Sequence, residues 1–408
     1  MRAYRIAGLL LALLASSSLY SYNRSLFFRT SSFWEEPRFV RPWLSTLDLQ
    51  LSGGSSHESR NCNGRPTALP SLYEHENITA LIAASPEFPL TLKGDPSAIC
   101  FQAMADVFEV NLNLYQNFCY GFFLHFHLPA VVVRIFPSGF LEDSECCLPS
   151  RRKSSTEAEK PLELLTPFLK HHNLSVRRHD RPGLSDSTLF VGWSYSYEDT
   201  CDLDFIDMTF KTGVLFPTGK KRSLHCLFDI PYGYNGHWGL PLSGDLTFGA
   251  YDWLSLGFHA EAVFFRDKEQ ALRMKTDKEA LTGLIVLGQG QAWVHQGPVW
   301  RVGTYLKADH FFNGLSLLLG LSYEQKNDDQ VTPCDTETFS IVHVNKDPQF
   351  LTWSRSIFHF QAEYDFAHED SRCGARIAIF YNHEITGHRV FNVSTTGGLL
   401  GLDVSWCL

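Results

Sequence analysis

The sequence predicts an all-β fold, an antiparallel transmembrane β-barrel of about twelve strands. Three observations carry that expectation. Long stretches place an apolar residue at every second position, and short and long joins between those stretches alternate. Aromatic residues make up 14% of a chain whose overall hydropathy is slightly negative. A strand with lipid on one side and a polar lumen on the other requires the two-residue period. Aromatic girdles at two membrane interfaces account for the Phe, Tyr and Trp.

The N-terminus has the three parts of a secretory signal. Arg2 and Arg5 form a short positive region, residues 6–15 are apolar, and Ser16, Ser17 and Ser18 supply small residues for cleavage. The apolar run is too short for a spanning helix, which needs about 20 residues. Residues 1–21 are therefore expected to be a signal peptide, and 22–408 a single barrel domain with long external loops at about 53–102 and 129–187. No linker, repeat or composition shift divides that domain. The later apolar runs at 130–133 and 315–321 are also too short for helices that cross a bilayer. A net charge of −9, about −11 without Arg2 and Arg5, argues against a nucleic-acid partner.

The strands follow in order. Phe108, Val110, Leu112 and Leu114 share one face, opposite Glu109, Asn111 and Asn113. After Gln116-Asn117, read as a tight turn, Phe118, Tyr120, Phe122, Leu124, Phe126 and Leu128 oppose Cys119, Gly121, Phe123, His125 and His127. Leu254 to Phe264, Leu315 to Tyr323 and Phe358 to Phe366 repeat the pattern, each with an uncharged face. Twelve candidates result: 43–52, 103–115, 118–128, 188–197, 203–215, 239–250, 253–265, 299–311, 315–326, 354–367, 375–386 and 396–408. Joins after even-numbered strands run from two to about seven residues. Joins after the first five odd-numbered strands run from about 20 to about 60. Short turns on one side and long loops on the other are a barrel property, and an even count returns both termini to the turn side.

The chain's end, with Leu402, Val404, Trp406 and Leu408 alternating to the last residue, resembles the C-terminal assembly signal of bacterial outer-membrane proteins. It departs from that pattern in ending on Leu408 and in carrying Asp403 where Gly is common. Residues 211–219 and 244–249 resemble stretches of outer-membrane channels for small solutes and hydrophobic compounds. The resemblance implies an outer-membrane, porin-like barrel in contact with lipid and lipopolysaccharide.

Polar-facing residues are the candidate site. Asp48, Glu109, Asp207, Asp245, Glu261, Asp309, Glu324, Glu363, Asp365 and Asp403 are acidic, against basic Lys211, Arg301, Lys307 and Arg376. His259 and His359 join them on the inward face. Such an excess of carboxylates favours cations, so passive diffusion of small solutes with a mild cation preference is expected. Charges that pair internally and fill a narrow barrel are the alternative, because twelve strands fall between filled eight-stranded and open sixteen-stranded barrels. His125 and His127, with His259 and His359, have spacing that could suit a metal, but lumen polarity explains them, and neither metal nor cofactor is expected. Residues 157–173 have helical apolar spacing after Pro161, and a position on the rim is favoured over one in the mouth. Lys268, Arg273, Lys275 and Lys278 form a basic loop cluster suited to lipopolysaccharide or a solute.

Ten cysteines in an exported chain call for pairing. Cys62, Cys100, Cys146, Cys147, Cys226 and Cys334 fall in external loops. Cys119, Cys201, Cys373 and Cys407 fall at the turn side. Each group is even, so each side can pair fully, in a connectivity the sequence leaves open. In this respect the chain is similar to cysteine-rich outer-membrane proteins of intracellular Gram-negative bacteria.

Three other readings compete. A structural or surface-contact protein would use a filled barrel to display its loops. A secreted glycoprotein is raised by sequons at Asn77, Asn173 and Asn392. An enzyme of the twelve-stranded phospholipase kind needs Ser, His and a polar orienter on lipid-facing strands. The outward faces here are Leu, Phe, Val and Ala, so no enzyme is expected.

Overall fold

The computed structural model describes residues 43–69, 76–77, 81, 85, 98–142, 166–175, 179–198, 203–276, 284–366 and 372–406. The signal-peptide expectation for 1–21 lies outside them. Twelve antiparallel strands close into a barrel. They are β1 (Leu44–Ser56), β2 (Ala98–Asn117), β3 (Phe122–Glu142), β4 (Ser187–Glu198), β5 (Phe205–Phe216) and β6 (Gly239–Tyr251). β7 (Leu254–Phe265), β8 (Val299–Phe312), β9 (Leu315–Lys326), β10 (Trp353–Asp365), β11 (Cys373–His388) and β12 (Ser394–Ser405) complete the circuit. Each strand pairs with its sequence neighbours, and β1 closes on β12 from Leu44↔Ser405 to Ser55↔Ser394. Closure matters because lipid offers no partner to an unpaired backbone amide or carbonyl. No helix among the described residues is long and apolar enough to cross a membrane.

All twelve predicted strands are present, and so is the parity of their joins. β6 and β7 are joined by Asp252-Trp253, and β8 and β9 by Asn313-Gly314. Asn313 (φ 40°) and Gly314 (φ 85°) both adopt the left-handed conformation that a two-residue hairpin matching strand twist requires. The β2–β3 turn differs from expectation. It occupies 118–121 rather than 116–117, because both strands run farther and pair from Ile99↔Glu142 to Asn117↔Phe123.

The outward surface is apolar. Leu47, Leu51, Phe108, Leu114, Leu256, Leu319, Ile379 and Leu400 are exposed on it. At the turn end stand Trp43, Tyr120, Tyr251, Trp253, Phe312, Phe366 and Trp406; at the loop end, Trp238, Phe264 and Trp300. This is an apolar band between two aromatic girdles, the surface of a barrel that spans a bilayer.

The loops carry structure that the sequence did not announce. Lys268–Arg273, Gln289–His295 and Gln330–Pro333 form one small sheet. Glu58–Arg60 pairs with both Pro66–Ala68 and Val390–Phe391 in another. His179–Leu184 pairs with β3 from Ala130 to Ile135, above the reach of β4.

Candidate functional site

Alternation along each strand sends its polar residues inward, and cross-strand register then decides which of them meet. Near the turn end, Arg376 donates through Nη2 to both carboxylate oxygens of Asp48 at 2.5 Å. Its Nη1 lies 3.6 Å from Glu363. These two strands are not adjacent: β12 runs between them, and at the crossing stands Gly401, paired with both Asp48 and Arg376. A Cβ there would overlap the Arg376 side chain and stand 2.8 Å from Asp48 Oδ1. Thr46 donates to Asp403 at 2.6 Å, and Lys307 to Asp309 at 3.1 Å. Asp365 is buried, with His310 Nε2 3.8 Å away. Asp207 is half-buried.

At mid-barrel the histidines occupy three separate places. His125 is stacked between Tyr115 and Phe190, with centroids at 4.1 and 5.4 Å. Lys211 Nζ lies 4.9 Å above the same Phe190 ring. His125 and His127 both reach Asn113 Oδ1, at 3.2 and 2.7 Å. His259 contacts Asp245 at 2.7 Å. His359 bridges Ser322 and Asn382 at 2.7 and 2.8 Å. These partners are hydroxyl, amide and carboxylate groups. Among the described residues no group of three or more His, Cys, Asp or Glu is placed to hold a metal ion.

Closer to the loop end, a charged belt crosses four consecutive strands. Arg355 on β10 donates to Glu324 Oε2 on β9, from Nε at 2.7 Å and from Nη2 at 2.5 Å. Arg301 on β8 donates to Glu324 Oε1 at 3.3 Å and lies 3.6 Å from Glu261 on β7. The signs alternate along a single register row, Arg355↔Glu324↔Arg301↔Glu261, so each charge has opposite neighbours on the adjoining strands. The Arg355 guanidinium also sits 5.1 Å from the Trp353 ring.

Above the belt lies a chamber of about 540 Å³. Glu109, Glu261, Arg301 and Glu324 line it from the barrel; Asp186, Lys221, Arg222, Lys268 and Arg273 line it from the loops. In all, six carboxylates and six cationic side chains face it, giving a formal charge of zero. Asp186, just before β4, fastens one wall by accepting from the backbone amides of Gly219 and Tyr234 at 2.8 and 2.5 Å. Its burial pushes the carboxyl up to about 6 against those two hydrogen bonds.

Beside the chamber, the mouth is packed with apolar side chains. Ala103, Ala105, Val131, Val133 and Ile135 point inward from β2 and β3. They meet Leu227, Phe228, Ile230 and Tyr232 from the connection after β5, and Leu284 and Ile285 from the connection after β7.

Two sequence expectations are corrected here. The helical turn at 166–171 does not lie on the rim: Phe168 and Leu169 are fully buried in this cluster, because the inward face of β3 is apolar at that height. Arg273 and Lys275 of the basic loop cluster do not form an outward patch either. Arg273 is buried and donates to the carbonyls of Leu224, Val286, Leu287 and His172, and Lys275 is fully buried. Lys278 lies outside the described residues.

Sequence reasoning placed Glu109, Asp207, Lys211, Asp245, His259, Glu261, Arg301, Lys307, Glu324, His359, Glu363 and Asp365 on the inward face. It missed Arg355, Lys326 and Glu384, which are buried. Parity from Phe358 and Phe360 pointed to Arg355, but its inward neighbours Trp353 and Ile357 are apolar and hide the pattern.

Of the cysteines, Cys119, Cys334 and Cys373 are exposed and unbridged. Cys100 lies on β2. Cys146, Cys147, Cys201 and Cys407 lie outside the described residues.

No family profile and no curated protein sequence matches the chain. Among solved structures, the chain is similar to the COG4313 outer membrane channel from Pseudomonas putida F1. That similarity has 12% identity and a TM-score of 0.50, over 91% of this chain and 99% of that one. A Pseudomonas aeruginosa FadL homologue is similar at 10% identity and a TM-score of 0.31, over 95% and 99%. The NanC porin gives 10% identity and a TM-score of 0.32, over 88% and 98%. The first of these shows the fold: the barrel is of the bacterial outer-membrane type.

Proposed function

We propose that this chain is an outer-membrane channel for passive diffusion of small solutes, entered through the chamber and narrowed by the Arg355–Glu324–Arg301–Glu261 belt. The observation that carries this reading is the polar chamber of about 540 Å³ inside the loop end of the barrel, a size that suits a small-molecule site. The chamber is charge-balanced, so a mild cation preference would arise below it. There Asp48, Asp207, Asp245, Glu363, Asp365 and Asp403 outnumber Lys211, Lys307 and Arg376. Liposome swelling tests the reading. Proteoliposomes should admit amino-acid-sized solutes faster than empty liposomes and exclude larger oligosaccharides. Equal rates for protein-containing and empty liposomes would refute it.

The packed mouth favours a second reading, a plugged barrel that displays its loops on the cell surface. Exposed thiols at both ends, Cys119 and Cys373 at the turns and Cys334 in a loop, suit cross-linking to neighbours in a cysteine-rich envelope. That reading predicts a ladder of high-mass bands on non-reducing gels, collapsing with reductant, together with silence in the swelling assay.

A further inference from the structure

A second recess, of about 500 Å³, opens on the outside of the barrel at the loop end, between the connection after β5 and the ribbon after β7. Lys221 reaches it from the first and Lys268 from the second. Both lie over Gly236: Lys221 Cε and Lys268 Nζ stand 2.7 and 2.8 Å from the point a Cβ there would occupy. The backbone at Gly236, with φ +83°, favours glycine as well. Lys268 Nζ donates to the Gly236 carbonyl at 2.8 Å, which fixes one ammonium beside the other. Arg266 borders the same recess. Two carboxylates, Asp267 and Glu269, stand there against the three cations, and Asp267 also contacts His295 at 2.6 Å.

Two amines held this close repel, and an anion between them converts repulsion into attraction. Burial, and after it the neighbouring Lys221 ammonium, hold Lys268 below the ordinary lysine range. The flanks are aromatic: Trp238 and Trp293 are 48% and 53% exposed, and Trp300 and Leu240 continue the apolar wall beside them. Exposed Trp beside Lys and Arg is the composition of a membrane interface at headgroup level.

We propose that this recess binds the phosphate of a membrane lipid at the loop-end interface. Lys221, Lys268 and Arg266 take the phosphate, and Trp238 and Trp293 lie along the headgroup and the first acyl carbons. Lys221 and Lys268 also border the inner chamber, so the recess and the chamber share this wall.

Native mass spectrometry of the full chain in detergent tests it, with bis-phosphorylated lipid A, its dephosphorylated form and inorganic phosphate as probes. The phosphorylated lipid should bind, and K221Q/K268Q should weaken it about thirtyfold, the product of two surface-lysine contacts to an anionic lipid. K221R/K268R should restore binding, and R65Q, in a different loop, should leave it unchanged. Equal binding of the dephosphorylated lipid, or an unaffected double variant, would overturn the proposal. Displacement of the lipid by millimolar inorganic phosphate would mark a site for free anions and overturn the lipid assignment. If the double variant fails to fold, acetylation of the native protein decides. Phosphorylated lipid should shield Lys221 and Lys268 where dephosphorylated lipid does not, and equal labelling in both would refute it.

Discussion

Replacing Arg355 with alanine tests whether the charged belt is a dry constriction. Arg355 is 2% exposed and Glu324 3%, and they are joined by donations from Nε at 2.7 Å and Nη2 at 2.5 Å. The variant loses two charge-assisted hydrogen bonds and the contact with Trp353. It leaves Glu324 with Arg301 at 3.3 Å, and changes the belt from two cations and two anions to one cation and two anions. Removing one partner of a buried ion pair costs about 3–5 kcal/mol. Removing Glu324 as well should recover about 2 kcal/mol of that, because the carboxylate left with only Arg301 goes with it. Guanidinium unfolding of the barrel in micelles, followed by heat-modifiable migration, measures both. A loss below about 1 kcal/mol for the single variant is the value of a solvated pair. It would place bulk water between the partners and refute the dry belt.

Other outcomes follow from the same geometry. Gly401→Ala forces the Arg376–Asp48 pair apart and should cost about 1–3 kcal/mol by overpacking, whereas Gly398→Ala, on the outward face with its nearest neighbour 3.5 Å away, should be near neutral in the same unfolding assay. Phe168→Ala opens a void in the mouth cluster, should destabilise the loop packing by about 3–5 kcal/mol, and should raise protease cleavage at 166–175. Asp186 has a folded carboxyl raised to about 6 from 3.8, so the folded loop holds its proton more tightly than the unfolded chain. Its contribution is therefore greatest below about pH 4 and falls as pH rises through about 6, by about 3 kcal/mol across that window. Hydrogen exchange of residues 217–238 should show this slope in the native chain and lose it in Asp186→Asn.

The barrel was legible because lipid and lumen impose a two-residue code on every strand, and because turn and loop lengths repeat that code independently. Faces such as Leu254, Leu256 and Phe258 against Ser255, Gly257 and His259 came directly from it. The code fails where the inward face of a strand packs on apolar loop residues instead of a polar lumen. Residues 130–133 read only as an apolar run, because Val131 and Val133 pack inward on loop residues while Ala130 and Val132 face outward. The buried helical turn at 166–171 was misplaced for the same reason: its burial depends on that inward apolar wall. Pairings such as Val390↔Arg60 join segments too far apart in sequence for any local pattern to record. The interior carboxylates were legible one by one. Their belt was not, because alternating signs along a row depend on cross-strand register.

Planar-bilayer recording of the purified chain under a salt gradient tests the central claim most directly. The account predicts small, discrete current steps with a reversal potential favouring cations, and larger steps for Arg355→Ala. Silence of both proteins at all voltages, or a reversal potential favouring anions, would contradict it.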